Sequence, residues 1–247
     1  MPLGGIVQSL SFNPLKERPD PEQRLFGVYV ALLLAVGLLS ALIFKFVPSL
    51  SFLFIREDAL LESATVVLFG LAALLTVGVF ASGRRPERGH ALVGVLSLLA
   101  VLEEISYGQR LFDIPFPVLP NGATFDSLSD LNRVVTIGLD AIGVSWLYVV
   151  GATALLILLI WGRALWRFAL KQLRVSPLAL YVIPALGFAL ISAFIDTFIN
   201  PDVRLVLLEE YAEFCIALSL LFAALTGFTG RRQPQVGGRG LASDQPA

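Results

Sequence analysis

The sequence predicts an all-α polytopic membrane bundle of six transmembrane helices with both termini in the cytoplasm. Three observations lead there. The chain has 247 residues, 56% hydrophobic and only 15% charged, with a mean hydropathy of +0.80; a soluble domain is nearer a quarter charged. Six apolar runs are each near or above the ~20 residues that cross about 30 Å of hydrocarbon, and helices satisfy their own backbone groups in lipid. Thirteen of the eighteen basic residues fall at alternate connections, on one side of the runs. The positive-inside rule makes that side cytoplasmic. The net charge of −1 gives no sign of a nucleic-acid partner. A single cysteine and a single histidine exclude an internal disulfide, a Cys-based zinc site and a multi-histidine metal site.

The first helix is expected at 25–47. It follows a polar stretch of about 24 residues holding Lys16, Arg18 and Arg24, too late and too long for a cleaved signal peptide and therefore an anchor. Residues 1–24 and 231–247, rich in Pro, Gly and polar side chains, read as flexible cytoplasmic tails flanking a 25–230 membrane domain. Residues 49–55 are apolar but too short to span, and suit the outer interface. The second helix, 58–82, carries Asp58, Glu62 and Thr65 on one face. Arg84, Arg85 and Arg88 follow it. His90 reads as interfacial, at the start of the third helix, 91–110. Gly70, Gly78 and Gly94 are weak candidates for close helix contact. The loop 111–133 mixes Phe112, Phe116 and Val118 with Pro115, Pro117 and Pro120, which suits an interfacial lid or a plain connection. The fourth helix, 134–162, holds Asp140 about two turns in, with Trp146, Tyr148 and Trp161 as packing groups or interface anchors. Trp166 belongs with these, and Arg163, Arg167, Lys171 and Arg174 follow the helix. The fifth, 178–200, aligns Ser192, Asp196 and Asn200. The sixth, 205–230, carries Glu209, Glu210 and Glu213 near its start and Cys215 as a buried apolar residue.

The acids form the candidate site. Successive helices run in opposite directions, so Glu62, Glu103, Glu104, Asp140, Asp196, Glu209, Glu210 and Glu213 converge on one depth in the outer third of the bilayer. Ionisable groups inside a membrane are expensive and mark function by default. In the third helix, Glu103, Ser106, Tyr107 and Arg110 share a stripe, with Glu104 turned toward a neighbouring helix. Counting Asp58, nine acids face five cations (Lys45, Arg56, Arg110, Arg133 and Arg204). A carboxylate in an apolar site takes up a proton or finds a cation. With oxygen ligands and almost no His or Cys, Mg²⁺ or Ca²⁺ is favoured over zinc. The competing interpretation is a set of ion pairs and hydrogen bonds that locks helix packing.

The stretch Glu103-Glu104-Ile105-Ser106-Tyr107-Gly108-Gln109-Arg110 resembles a motif of uncharacterised bacterial polytopic membrane proteins, Glu-Glu-Ile-Ser-Trp-Gly-Gln-Arg, with Tyr107 in place of Trp. The Arg56-Glu57-Asp58 lead-in to the second helix and the Glu209/Glu210/Glu213 cluster look similar too. Asp130-Leu131-Asn132-Arg133 stands where such proteins often carry Asn-Leu-His-Asn. The resemblance implies a multi-pass protein of the bacterial inner membrane and transfers no activity. Glu104, Ser106 and Asp140 are also similar to part of the pattern of alkaline ceramidase and adiponectin-receptor hydrolases, whose three zinc-binding histidines are missing here.

Three functions compete. The first is an enzyme or binding protein for a lipid or lipid-linked substrate at the outer leaflet. Glu103, Glu104, Ser106 and Asp140 would do the chemistry. Tyr107, Gln109, Arg110, Asn132 and Arg56 would hold the substrate, and Glu62, Asp196, Glu209, Glu210 and Glu213 a cation. The second is a proton- or cation-coupled transporter, against which the cytoplasmic half reads as plainly apolar. The third is a non-catalytic scaffold or assembly factor.

Overall fold

The computed structural model describes residues 20–47, 60–83, 86–105, 130–141, 143, 146–198 and 203–229. Among these, all regular structure is helical: α1 (Asp20–Phe46), α2 (Leu60–Ala81), α3 (Arg88–Glu104), α4 (Asp130–Ala141), α5 (Trp146–Val175), α6 (Ala179–Phe198) and α7 (Val203–Thr229). Among the described residues, three helical stretches are long and apolar enough to cross a membrane: Pro21–Phe46, Leu60–Ala81 and Leu205–Thr229. The outward sides carry Leu34, Leu74, Leu159 and Leu190, each more than two-thirds exposed. In water such surfaces would be aggregation-prone patches; in lipid they are the solvated face.

The centre of the bundle is α7. Of its apolar window 61% is buried, against 28% for α2 and 11% for α1, and it packs on α1, α2, α3 and α6. The reason is side-chain size. Ala212, Cys215, Ala217, Ser219, Ala223 and Ala224 are all within 2% of full burial. Lipid tails are as apolar as leucine, so close backbone approach between small residues, rather than hydrophobicity, decides which helix lies inside. Cys215, expected as a buried apolar residue, is 0% exposed.

Larger side chains close the core around this spine. Tyr29 of α1 meets Tyr181 of α6 edge-on, with ring centroids 5.1 Å apart, and lies 5.4 Å from Phe222 of α7. The Ser219 hydroxyl donates to the Cys215 carbonyl at 2.6 Å, so Tyr29 donates to Ser219 Oγ at 2.8 Å. Tyr29→Phe should therefore cost about 0.5–1.5 kcal/mol. Unfolding in mixed micelles measures it. Ser219→Ala should add little on top of Tyr29→Phe, because the two remove one shared bond; full additivity would contradict the pairing.

α1, α3 and α6 run one way along the bundle and α2, α5 and α7 the other. The starts of α1 and α3 and the end of α7 come together at one end of the bundle: a groove of about 590 Å³ lies among Pro21, Arg24, Leu25, Val28 and Thr229, and His90 meets Thr226. Ser176, between α5 and α6, joins that end by donating to Glu87 Oε2 at 2.6 Å. This is the basic end. The start of α2, the end of α3 and the start of α7 form the acidic end.

Several boundaries differ from expectation. α1 begins at Asp20, so 20–24 are its first turn rather than tail; Pro21 suits that turn, where its missing N–H would have no partner anyway. The run expected as one helix over 134–162 is two. Gly143 sits between α4 and α5 at φ 73°, a left-handed conformation that stops a helix. Residues 130–133, assigned to the loop, open α4, and α5 runs on to Val175, so Arg163, Arg167, Lys171 and Arg174 lie within it. Of the three glycines proposed for close contact, only Gly94 is tight, 2.7 Å from Thr76 Cγ2 to the position of an added Cβ; Gly78 has ordinary clearance and Gly70 open space.

Candidate functional site

The acidic end is built by three helices. Glu62 stands in the first turn of α2, only 9% exposed, beside Thr65, whose hydroxyl is satisfied by the Leu61 carbonyl at 2.9 Å. Glu104 closes α3, half-buried. Glu209, Glu210 and Glu213 occupy the second and third turns of α7, all half-buried. Glu210 lies within electrostatic reach of Glu62, Glu104 and Glu209, and Glu213 within reach of Glu104, Glu209 and Glu210. From α6, Ser192 donates to Glu213 Oε1 at 3.1 Å. Oε2 of Glu210 is buried and has no hydrogen-bond partner among the described residues.

Of the predicted residues, the structure thus brings together Glu62, Glu104, Glu209, Glu210 and Glu213, with Ser192 beside them. Glu104 is turned toward a neighbouring helix, α7, as expected. Glu103 is half-buried, but the α3 carboxylate that acts on Glu210 and Glu213 is Glu104. The cause is helical phase. His90, Val93 and Ser97 form the buried side of α3, and Glu104 continues that side seven residues beyond Ser97. Glu103 is turned about 100° away. The helix ends at Glu104, with Ile105 at φ −89°, ψ 14°, short of the predicted Arg110. Ser106, Tyr107, Gln109, Arg110 and Arg56 lie outside the described residues. Asn132 and Asp140 fall on α4 and Asp196 on α6, with side chains outside the described set. Among the described residues, no three His, Cys, Asp or Glu side chains meet in an arrangement able to hold a metal ion. A cation at this end would therefore need a rotamer change or ligands from elsewhere in the chain.

At the basic end, the sequence reading missed the burial of His90. His90, expected to be interfacial, is only 3% exposed. Its Nε2 lies 3.1 Å from Thr226 Oγ1 and its Nδ1 3.3 Å from the Glu87 carbonyl. Thr226 in turn donates to the Ala223 carbonyl at 2.7 Å. A lone histidine beside three arginines gives no sign of burial on composition; the sign is its spacing, three and seven residues before Val93 and Ser97.

Comparisons with protein-family models, with curated proteins and with solved structures found no match. The chemistry of the site therefore rests on its own geometry. Five carboxylates from three helices within electrostatic reach of one another, with one hydroxyl, can attract cationic groups and favour protonation of some of their number.

Proposed function

We propose that this is a six-span protein of the bacterial inner membrane, both termini cytoplasmic, whose acidic end opens toward the outer leaflet and binds or modifies a lipid or lipid-linked substrate with the help of a cation. The observation that carries the reading is the convergence of Glu62, Glu104, Glu209, Glu210 and Glu213, with Glu210 Oε2 buried and without a hydrogen-bond partner. Packing alone favours polar groups that satisfy each other. Like charges gathered in an apolar site favour a bound cation or a shared proton.

Coupled transport would need a polar route to the other side. Midway between the ends, Phe69, Ala72, Val93, Ala217 and Leu220 are at most 4% exposed and close the α2/α3/α7 interface. That favours a site reached from one side.

Two measurements test the proposal. Added Mg²⁺ or Ca²⁺ should raise the melting temperature of the purified protein in detergent more at pH 8 than at pH 5, because protons compete for the same carboxylates at the lower pH. A lipid retained through purification should be detectable by native mass spectrometry. A melting temperature indifferent to divalent ions at both pH values, with no lipid retained, would leave only the packing interpretation.

A further inference from the structure

We infer that the last turns of α5 form a binding surface for the phosphate groups of anionic phospholipids at the bundle's basic end. This rests on the reading that α5 crosses the membrane, but not on which side is cytoplasmic. With 30 residues, α5 is about 45 Å long at 1.5 Å per residue. The hydrocarbon layer takes about 30 Å, and headgroups bring the bilayer to about 40–45 Å. The uninterrupted apolar part, 146–162, accounts for about 25 Å, so 163–175 reaches through the headgroup layer.

That segment has two unlike sides. Arg163, Arg167, Lys171 and Arg174 are spaced by four, four and three residues and fall on one face, spread over about 16 Å. All four are exposed. Trp161 and Leu165 fall on the opposite side and Phe168 and Val175 flank the stripe, all between 49% and 72% exposed. Between them Leu173 packs toward the core. α5 has no acidic residue anywhere along its length. Just past its end, Ser176 donates to Glu87 Oε2 at 2.6 Å, which brings an acid within two residues of Arg174 along the chain. Arg163, Arg167 and Lys171 stand one to three turns further from it.

A topological signal requires only an excess of positive charge on one side of the membrane. Here the cations are aligned on a rigid helix beside an exposed aromatic side, the arrangement that places long basic side chains at phosphate level and aromatic rings at the interface. Juxtamembrane basic clusters of this size recognise anionic lipid surfaces.

The chain's three tryptophans, Trp146, Trp161 and Trp166, all lie on α5, which provides the assay. In a Trp146→Phe background, the full-length protein is reconstituted into phosphatidylcholine vesicles containing a small fraction of brominated phosphatidylglycerol or brominated phosphatidylcholine. Trp161 and Trp166 then report the lipids beside the stripe. Phosphatidylglycerol should quench as if enriched at least fivefold over its bulk fraction, about the contribution of one basic side chain. Arg163→Gln/Arg167→Gln/Lys171→Gln should bring that selectivity to within twofold of phosphatidylcholine. Unchanged quenching by brominated phosphatidylcholine in the same variant shows that it is still inserted. Equal quenching by the two lipids in the parent protein overturns the inference, as does selectivity that survives the triple substitution. Selectivity abolished by millimolar inorganic phosphate at constant ionic strength would assign the stripe to a soluble ligand and overturn it too. Absence of quenching by either lipid would refute the membrane crossing of α5 and the inference with it.

Discussion

Gly227→Ala is expected to destabilise the bundle by about 1–3 kcal/mol, as overpacking of a filled core does. A Cβ added at Gly227 would stand 2.6 Å from Val79 Cγ2, 2.8 Å from Val79 Cγ1 and 3.1 Å from His90 Cδ2. None of these atoms moves cheaply. Val79 is fully buried on α2 and β-branched, so its rotamer is restricted in a helix. His90 is held by Thr226 and the Glu87 carbonyl. The added methyl therefore separates α7 from both α2 and α3. Unfolding in mixed micelles gives the loss, and Gly227→Ala/Val79→Ala should recover most of it by removing the obstructing methyls. A single variant as stable as the parent would show that the three helices do not approach as closely as described.

At the acidic end the expected sign is opposite. Glu210→Gln should stabilise the protein by about 1 kcal/mol, or roughly 2–4 °C in melting temperature, and Glu213→Gln should act likewise. Each removes one like charge from the cluster. Glutamine at 213 keeps an oxygen able to accept from Ser192, so the hydrogen bond to α6 survives. The gain should be larger at pH 8 than at pH 5, since repulsion between carboxylates requires both to be ionised. The double variant should also lose the response to Mg²⁺ and Ca²⁺ and the retained lipid. Stability gained with binding lost is the usual pattern of a functional site. If both variants instead destabilise the protein, the acids are structural and the proposed function fails.

The membrane character and the acidic cluster were legible in the sequence because they depend on amount: long apolar runs, and carboxylates where lipid tolerates few. The stripe joining Glu62 to Thr65, and the grouping of Glu209, Glu210 and Glu213, needed only helical spacing. What was not legible depends on facing. A water-soluble helix shows its buried side by its apolar stripe, but a membrane helix is apolar on both sides. Nothing in the hydrophobic pattern therefore marks α7 as the centre; the small residues between Ala212 and Ala224 do. Which neighbouring helix Glu104 meets was hidden for the same reason. The side it takes can be read from His90, Ser97 and Glu104, polar residues seven apart that share one side of α3. The break at Gly143 was hidden because hydropathy averages over a turn that a single glycine can make.

The placement of α7 also bears on biosynthesis. Domains generally consolidate as the chain emerges, N-terminal part first, yet the helix that α1, α2, α3 and α6 all pack against is the last of the described helices to leave the ribosome. Until then α2 and α3 have each other, while Tyr29, Thr65 and Ser192 face the bilayer without the neighbours that later cover them. A chain interrupted before residue 203 would be an inserted but unassembled set of helices displaying those hydroxyls to lipid. Such a fragment has the marks of a substrate for membrane quality control, and its lifetime in the cell should be short compared with that of the full chain.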